Sequence, residues 1–381
     1  MKITDVKTFI IHPKSGKNLL FVKVETDEGL HGWGESYTQA DRDKVIEIHI
    51  HQMAKYLKGR SPFAIKHFTF WAYTDFTTKR GAMDVYSAIS GIEQALWDIV
   101  GKATGQPVYN LIGGPCREKI RVYANGWGGG GDLDALAKRA KEVVALGFTA
   151  LKFDPFPSPW RAYIDKAQED HAVERVAAVR EAVGPDVEIL VEVHRRLAPM
   201  HAVRVARRLE EYRPYWYEEP VSSRDLVGLA EARSQINIPV VTGEELYLKQ
   251  EFRTAFELRA ADIINPDVCN VGGILELKEI AAMAEPYFVA VAPHNYNSTT
   301  VGLAATLHAA ATMPNFLITE YFLNFEEVGR EIARPSLAVE DSYIPLPTAP
   351  GLGIDLDEEA LAQRPYQQFK KRKLAYPRDE R

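Results

Sequence analysis

Cysteine is nearly absent: only Cys116 and Cys269 occur in 381 residues, and their spacing fits no thiolate metal cage. A disulfide framework is therefore excluded as the source of stability, and two buried or half-buried thiols are expected. Also missing is any apolar run near the roughly 18 residues that a membrane-spanning helix needs. Nor is there a surplus of positive charge. The formal net charge is −6 and the pI about 6.0, which argues against nucleic acid or an anionic membrane as the main partner. The opening MKITDVKTFIIH alternates polar and apolar residues and carries Asp5, so it reads as a strand rather than a signal peptide. These absences point to a cytoplasmic protein that acts on a small molecule.

What is present is the composition of an ordinary globular enzyme, 46% hydrophobic and 26% charged, in a chain long enough for a (β/α) barrel plus a second domain. Ile3 to Ile11, Leu19 to Thr26 and a third run containing Gly32-Trp33-Gly34 alternate like strands, with Asp27-Glu28-Gly29 as a turn, and predict an antiparallel meander. From about Asp41 to Ile112 the period becomes helical. It is clearest where Ile89, Ile92, Ala95, Leu96 and Ile99 share a face and Gly105 ends the run. Residues 1–118 therefore read as an α+β domain.

Eight short apolar segments follow: Arg121 to Ala124, Ala150 to Phe153, Glu188 to Val193, Tyr215 to Glu218, Pro239 to Thr242, Asp262 to Asn265, Phe288 to Ala292 and Phe316 to Glu320. Amphipathic helical runs lie between them. Strand and helix in alternation predict parallel βαβ units, and eight of them a TIM-type barrel over residues 119–335. The Pro/Gly-rich remainder, 336–381, is expected to pack back on the first domain, with its basic finish, Phe369 to Arg381, as a solvated terminus.

Ionisable residues end or just follow these strands. Glu192, Glu218, Glu244, Asp267, His294 and Glu320 recur every 23 to 27 residues, one βα unit each time, and so arrive together at the C-terminal face, where TIM barrels keep their active sites. One carboxylate after a strand is often only a helix cap, but six in phase are hard to dismiss. Glu192, Glu218 and Glu244 come from consecutive strands, and three close carboxylates repel unless a cation sits among them. A set made only of oxygen donors suits a hard ion such as Mg²⁺. Asp267 beside His294 pairs a carboxylate with an imidazole, the arrangement of an oriented general base.

Taken together, Tyr217-Glu-Glu-Pro220, Thr242-Gly-Glu244, the run from Pro266 through Gly272-Gly273, Ala292-Pro-His294, Pro350-Gly-Leu-Gly353 and the run from Ser87 to Gly114 resemble the signatures of the enolase superfamily, in its mandelate racemase branch. The resemblance covers nearly the whole chain. It implies a modified (β/α)7β barrel with an α+β capping domain completed by the C-terminal tail. It also implies Glu192, Glu218 and Glu244 as Mg²⁺ ligands, a His294–Asp267 dyad, and Glu320 in contact with the enolate or the substrate carboxylate. The first ligand is an aspartate in most relatives and is Glu192 here.

Racemases of the branch resemble a Lys-x-Lys pattern on the second barrel strand. This chain has Lys152-Phe153-Asp154, so two-sided racemisation is disfavoured, and Lys152 is left to orient substrate or bind Asp154. A histidine two residues after the first ligand, His194, is similar to the gluconate/galactonate dehydratases, although those relatives usually carry glycine where Arg195 stands. The implied reaction is dehydration of an aldonate to a 2-keto-3-deoxy acid through an enediolate, with His294 as base and His194 as acid. Asp154, Arg195 and Tyr37 are expected to touch substrate, beneath capping-domain loops at Pro13 to Lys17 and Tyr37 to Arg42. Trp33 and Trp71 are expected in the core. The rivals are an epimerase or cycloisomerase of a sugar acid using the same enolate, and a binding scaffold without activity. The resemblance further implies a homo-oligomer, from dimer to octamer.

Overall fold

The computed structural model describes residues 1–371, so all but the first three residues of the basic finish lie outside the described residues. The meander forms as β1 (Ile3–Ile11), β2 (Leu19–Thr26) and β3 (His31–Ser36), paired antiparallel in that order. Four α-helices follow, α1 (Asp43–Leu57), α2 (Ile65–Trp71), α3 (Met83–Thr104) and α4 (Val108–Leu111), with a π-helical turn, Ala72–Phe76, continuing α2. The long α3 ends at Gly105, whose φ of +68° is a left-handed cap that a side chain disfavours. It lies on β3 at backbone contact: a Cβ on Gly34 would fall 1.8 Å from the Gly91 carbonyl oxygen. Trp33 and the inner faces of β2 and α3 bury the core between them.

The barrel strands are β4 (Lys119–Asn125), β5 (Ala150–Phe153), β6 (Glu188–Glu192), β7 (Trp216–Glu218), β8 (Val240–Thr242), β9 (Ile263–Ile264), β10 (Ala290–Val291) and β11 (Thr319–Phe322). Between them run α5 (Leu133–Ala145), α6 (Lys166–Val183), α7 (Pro199–Leu209), α8 (Leu226–Arg233), α9 (Leu248–Glu257), α10 (Ile274–Ala284) and α11 (Val301–Ala311). Neighbours from β4 to β10 pair in parallel, and β11 pairs with β4. A parallel bridge from Val291 to Phe316 closes the ring. This is the (β/α)7β barrel, with both faces of its strands buried, which is why they read as continuous apolar runs.

The barrel interior explains how the site is placed. Tyr123, Ala150, Leu190, Trp216, Val241, Ile263, Ala292 and Ile318, one from each strand or its flank, form a closed apolar cluster. Side chains two residues apart on a strand share a face. Two positions on from those eight stand Asn125, Lys152, Glu192, Glu218, Gly243, Asn265, His294 and Glu320. An apolar plug therefore sits directly beneath a polar layer.

Beyond the barrel, Tyr343–Pro345 pairs antiparallel with β4, and the chain then returns across the first domain. There Leu352 donates its N–H to Asp98 (2.8 Å) and His12 donates its N–H to the Arg364 carbonyl (3.1 Å). Two buried carboxylates reach from the meander and α3 into barrel helix ends. Glu93 accepts from Ile274 N (2.7 Å), Leu275 N (3.0 Å) and Trp97 Nε1 (2.8 Å), and so caps α10. Glu35 does the same for α11. Cys269 is buried as expected, but Cys116 is exposed: it stands in the loop between α4 and β4, where its N–H donates to the Ala311 carbonyl (2.7 Å).

Candidate active site

The polar layer opens into a cavity of about 420 Å³ at the C-terminal strand ends, lined by both domains. Glu192 ends β6, Glu218 ends β7, and Glu244 follows β8 one residue beyond the inward phase, where Gly243 turns the chain at φ +142°. One oxygen from each of these three carboxylates lies within 4.8 Å of the others. All three are largely buried; Glu218 Oε2 has no hydrogen-bond donor, and Glu192 Oε2 has the Lys152 ammonium at 3.3 Å but no formed hydrogen bond. Buried acceptors without donors cost free energy, and three carboxylates with oxygens directed at one point are the donor set of a hard divalent cation. The residues thus fit a metal ion.

Protein cations surround the cluster. Lys152 Nζ, 1% exposed, lies 2.9 Å from Glu218 Oε1, 3.3 Å from Glu192 Oε2 and 3.4 Å from Glu320 Oε1. Burial would discharge this amine, but Glu218 and Glu320 outweigh it and hold its pKa well above the ordinary lysine range. Burial likewise works against an ionised Glu192, yet the charges of His194 and Lys152 bring it down to about 2. Glu218 is pushed up, by burial and then by the charge on Glu192.

His294 stands over the same cluster. Its Nδ1 lies 2.7 Å from Asp267 Oδ2, and its Nε2 is 3.1 Å from Glu244 Oε2 and 3.5 Å from Glu320 Oε2. Burial opposes protonation, but Glu244, Glu320 and the Asp267 hydrogen bond lift the ring to about 9. A second histidine–carboxylate pair lines the cavity: His194 Nδ1 is 2.9 Å from Asp154 Oδ2, and the Trp160 ring stacks on the imidazole at 4.9 Å and 18°. The capping domain contributes Tyr37, whose ring centroid is 6.0 Å from that of His294. Burial, then the charges of Glu244 and Asp267, hold its phenol far above the usual range, so it stays protonated.

Glu192, Glu218, Glu244, His294, Asp267, Glu320, Lys152, His194, Asp154, Arg195 and Tyr37 are thus brought together in and around one cavity. Their contacts differ from expectation in two places. Lys152 does not bind Asp154: its ammonium lies among Glu192, Glu218 and Glu320, while Asp154, past the strand end, pairs with His194 and with the Arg196 guanidinium. Arg195 has its guanidinium on Glu219, Glu244 and Glu245, so it is a counter-charge within the protein before it is a substrate contact. His194 and Arg195 also leave the strand. Their φ values of +54° and +55° are left-handed, which suits the glycine that the resemblance put at position 195 and strains an arginine.

Sequence reasoning missed several residues. Asn125 donates to Glu320 (2.5 Å) and Asn265 to Glu218 (2.8 Å); each stands two positions beyond an apolar interior residue, a signal that was available. Buried Glu219, under Arg195, and half-exposed Trp160 carried none. Of the expected loops, Tyr37 and Gln39 line the cavity, while Lys17 lies behind Tyr37 with Nζ 3.9 Å from its ring centroid. Trp33 is core, and Trp71 packs on Tyr56 away from the site.

A capped barrel whose rim gathers acids, two imidazoles and a buried lysine has the equipment of an acid–base enzyme. Residues 135–360 match the enolase C-terminal domain-like family model, and residues 6–113 match the mandelate racemase/muconate lactonizing enzyme N-terminal domain. A D-galactonate dehydratase of Ralstonia nicotianae is 36% identical over 371 residues, covering 96% of this chain and 94% of that one. A D-gluconate dehydratase of Thermoproteus tenax is 36% identical over 345 residues, covering 90% and 69%. Among solved structures, a mandelate racemase/muconate lactonizing enzyme from a Jannaschia species has a TM-score of 0.90 at 32% identity, covering 97% of this chain and 99% of that one. The chain belongs to the mandelate racemase/muconate lactonizing enzyme family of the enolase superfamily. It is an enzyme of that family and groups with its dehydratases. Among the described residues no helix is long and apolar enough to cross a membrane.

Proposed function

We propose that this enzyme dehydrates an aldonate of the gluconate or galactonate kind to a 2-keto-3-deoxy acid, with Mg²⁺ held by Glu192, Glu218 and Glu244. The observation that carries the reading is that two histidines, each backed by its own carboxylate, line one cavity beside the three-carboxylate cluster. The names of relatives at 36% identity supply the substrate class.

The bound cation would supply positive charge among the three carboxylates, taking up charge that builds on the substrate carboxylate and easing the pull of Glu244 on His294. His294 Nε2 takes the proton from carbon 2, with Asp267 on Nδ1 fixing the ring's tautomer and stabilising the imidazolium. The resulting enediolate expels the 3-hydroxyl as His194, held by Asp154, gives it a proton, so water leaves. The enol then tautomerises to the keto acid. Lys152 keeps its proton among Glu192, Glu218 and Glu320. With the lysine engaged as a counter-charge, no second base is supplied from that side, and this favours elimination over racemisation.

The test is incubation with Mg²⁺ and a panel of hexonates and pentonates. A semicarbazide-reactive keto product is expected from at least one of them. Epimerised acid without keto product would favour the epimerase, and no change in any acid the scaffold.

A further inference from the structure

The segment that follows His294 is gripped from the other domain. Glu35, on β3 and 1% exposed, accepts from Ser298 N (2.8 Å), Ser298 Oγ (2.5 Å) and Gly302 N (2.8 Å). It thereby caps α11, whose own N-cap residue, Thr300, provides no side-chain cap. Next to Ser298 in the chain is Asn297, also 1% exposed, whose Nδ2 donates to both oxygens of Asp267, at 2.8 and 2.9 Å. Those contacts fix the plane of the carboxylate that holds His294 Nδ1.

The far side of that carboxylate is anchored in the same way. Asp267 Oδ1 accepts from Cys269 N (2.8 Å), while Tyr37 N donates to the Cys269 carbonyl (3.0 Å) and Gln94 Nε2 to the Val268 carbonyl (3.2 Å). Space is tight as well: a Cβ on Gly302 would meet Glu35 Oε2 at 2.9 Å and Asn297 Cβ at 3.1 Å. Glu35, Asn297 and Cys269, whose Sγ would lie 2.8 Å from the same Cβ, thus pack around one glycine.

We propose that Glu35 is a positioning residue for proton abstraction, acting through Ser298 and Asn297 on the orientation of Asp267 and so of His294. The capping domain thus sets the geometry of the base as well as covering the cavity. The inference rests on His294 as the base. A carboxylate orients an imidazole only if it is itself held, and small misplacement of a reacting group is costly even when the cause is remote.

The experiment is a double-mutant cycle with Glu35→Gln and Asn297→Ala, followed by kinetics and by the downfield proton resonance of the His294–Asp267 hydrogen bond in the substrate-free enzyme. Each single variant is expected to lower kcat by between about 10- and 100-fold with KM little changed. In the Asn297→Ala background, Glu35→Gln should add little, because the two act in series. Both variants should also move the resonance. Effects that multiply in the double variant, or an unmoved resonance, would overturn the inference. Should Glu35→Gln fail to fold, Ser298→Ala carries the same cycle. A wild-type enzyme that turns over no acid sugar overturns the proposed function instead, and the resonance still decides the positioning role.

Discussion

Asp154 Oδ2 lies 2.9 Å from Nδ1 of His194, so the residue that stands where a racemase would carry a second lysine instead holds a histidine across the same cavity. A lysine at 154 would offer a base; the aspartate there instead orients His194, as the proposed acid role requires. The Trp160 ring on the other side of the imidazole keeps it in plane.

Separate roles for the two histidines predict separable defects. His194→Asn and Asp154→Asn should lower keto-acid formation, the first below detection and the second by about 100-fold, in the range of general acid–base contributions. Exchange of the carbon-2 proton with D₂O should survive in both. His294→Asn should lose exchange and product together. Proton NMR of the recovered acid sugar checks all three, and loss of exchange in His194→Asn would contradict the division.

Lys152 predicts a link between charge and stability. Removing one member of a buried ionic cluster leaves the others uncompensated, and Lys152→Met should cost about 3–5 kcal/mol in metal-free protein. Mg²⁺ should restore part of that loss, because it brings positive charge to the same carboxylates. Urea denaturation with and without EDTA measures both. A variant as stable as wild type in EDTA would argue against Lys152 as the counter-cation.

How much of this was legible in the sequence depends on the physics behind each residue. The eight strands and six rim residues were readable because βα units repeat, each a short apolar run with an ionisable residue at or just past its end. The period of two within a strand reached Asn125 and Asn265 in principle. It did not reach Glu219 or the true partner of Asp154, because both lie past the strand ends in left-handed or irregular backbone where alternation no longer applies; Glu219 itself has φ +44°. Glu35 and Glu93 were invisible for another reason. Each caps a helix more than 180 residues away in the chain, and no local pattern encodes such a contact.

Acid should destabilise the fold through His308, which stands on α11 and faces Tyr109 of α4. The ring is fully buried, accepts from Tyr109 N at Nδ1 (3.2 Å) and stacks on Tyr109 at 5.2 Å. Burial pulls its pKa down to about 4 from an ordinary 6.5. Above pH 6.5 both folded and unfolded rings are neutral, and the group adds no pH dependence. As pH falls from 6.5 toward 4 only the unfolded ring takes a proton, so stability drains away, by about 3 kcal/mol in all at 1.36 kcal/mol per unit. Urea melts at pH 7 and pH 5 should show a steeper loss in wild type than in His308→Asn. Equal slopes would contradict a neutral buried ring.

The central claim, that proton abstraction at carbon 2 ends in loss of the 3-hydroxyl, is tested most directly by following each acid of a hexonate and pentonate panel with the wild-type enzyme and Mg²⁺ in D₂O by NMR. The account predicts that at least one acid becomes a 2-keto-3-deoxy acid carrying deuterium at carbon 3. Deuterium appearing at carbon 2 of the unreacted skeleton, with inverted configuration and no keto acid from any member, would contradict it.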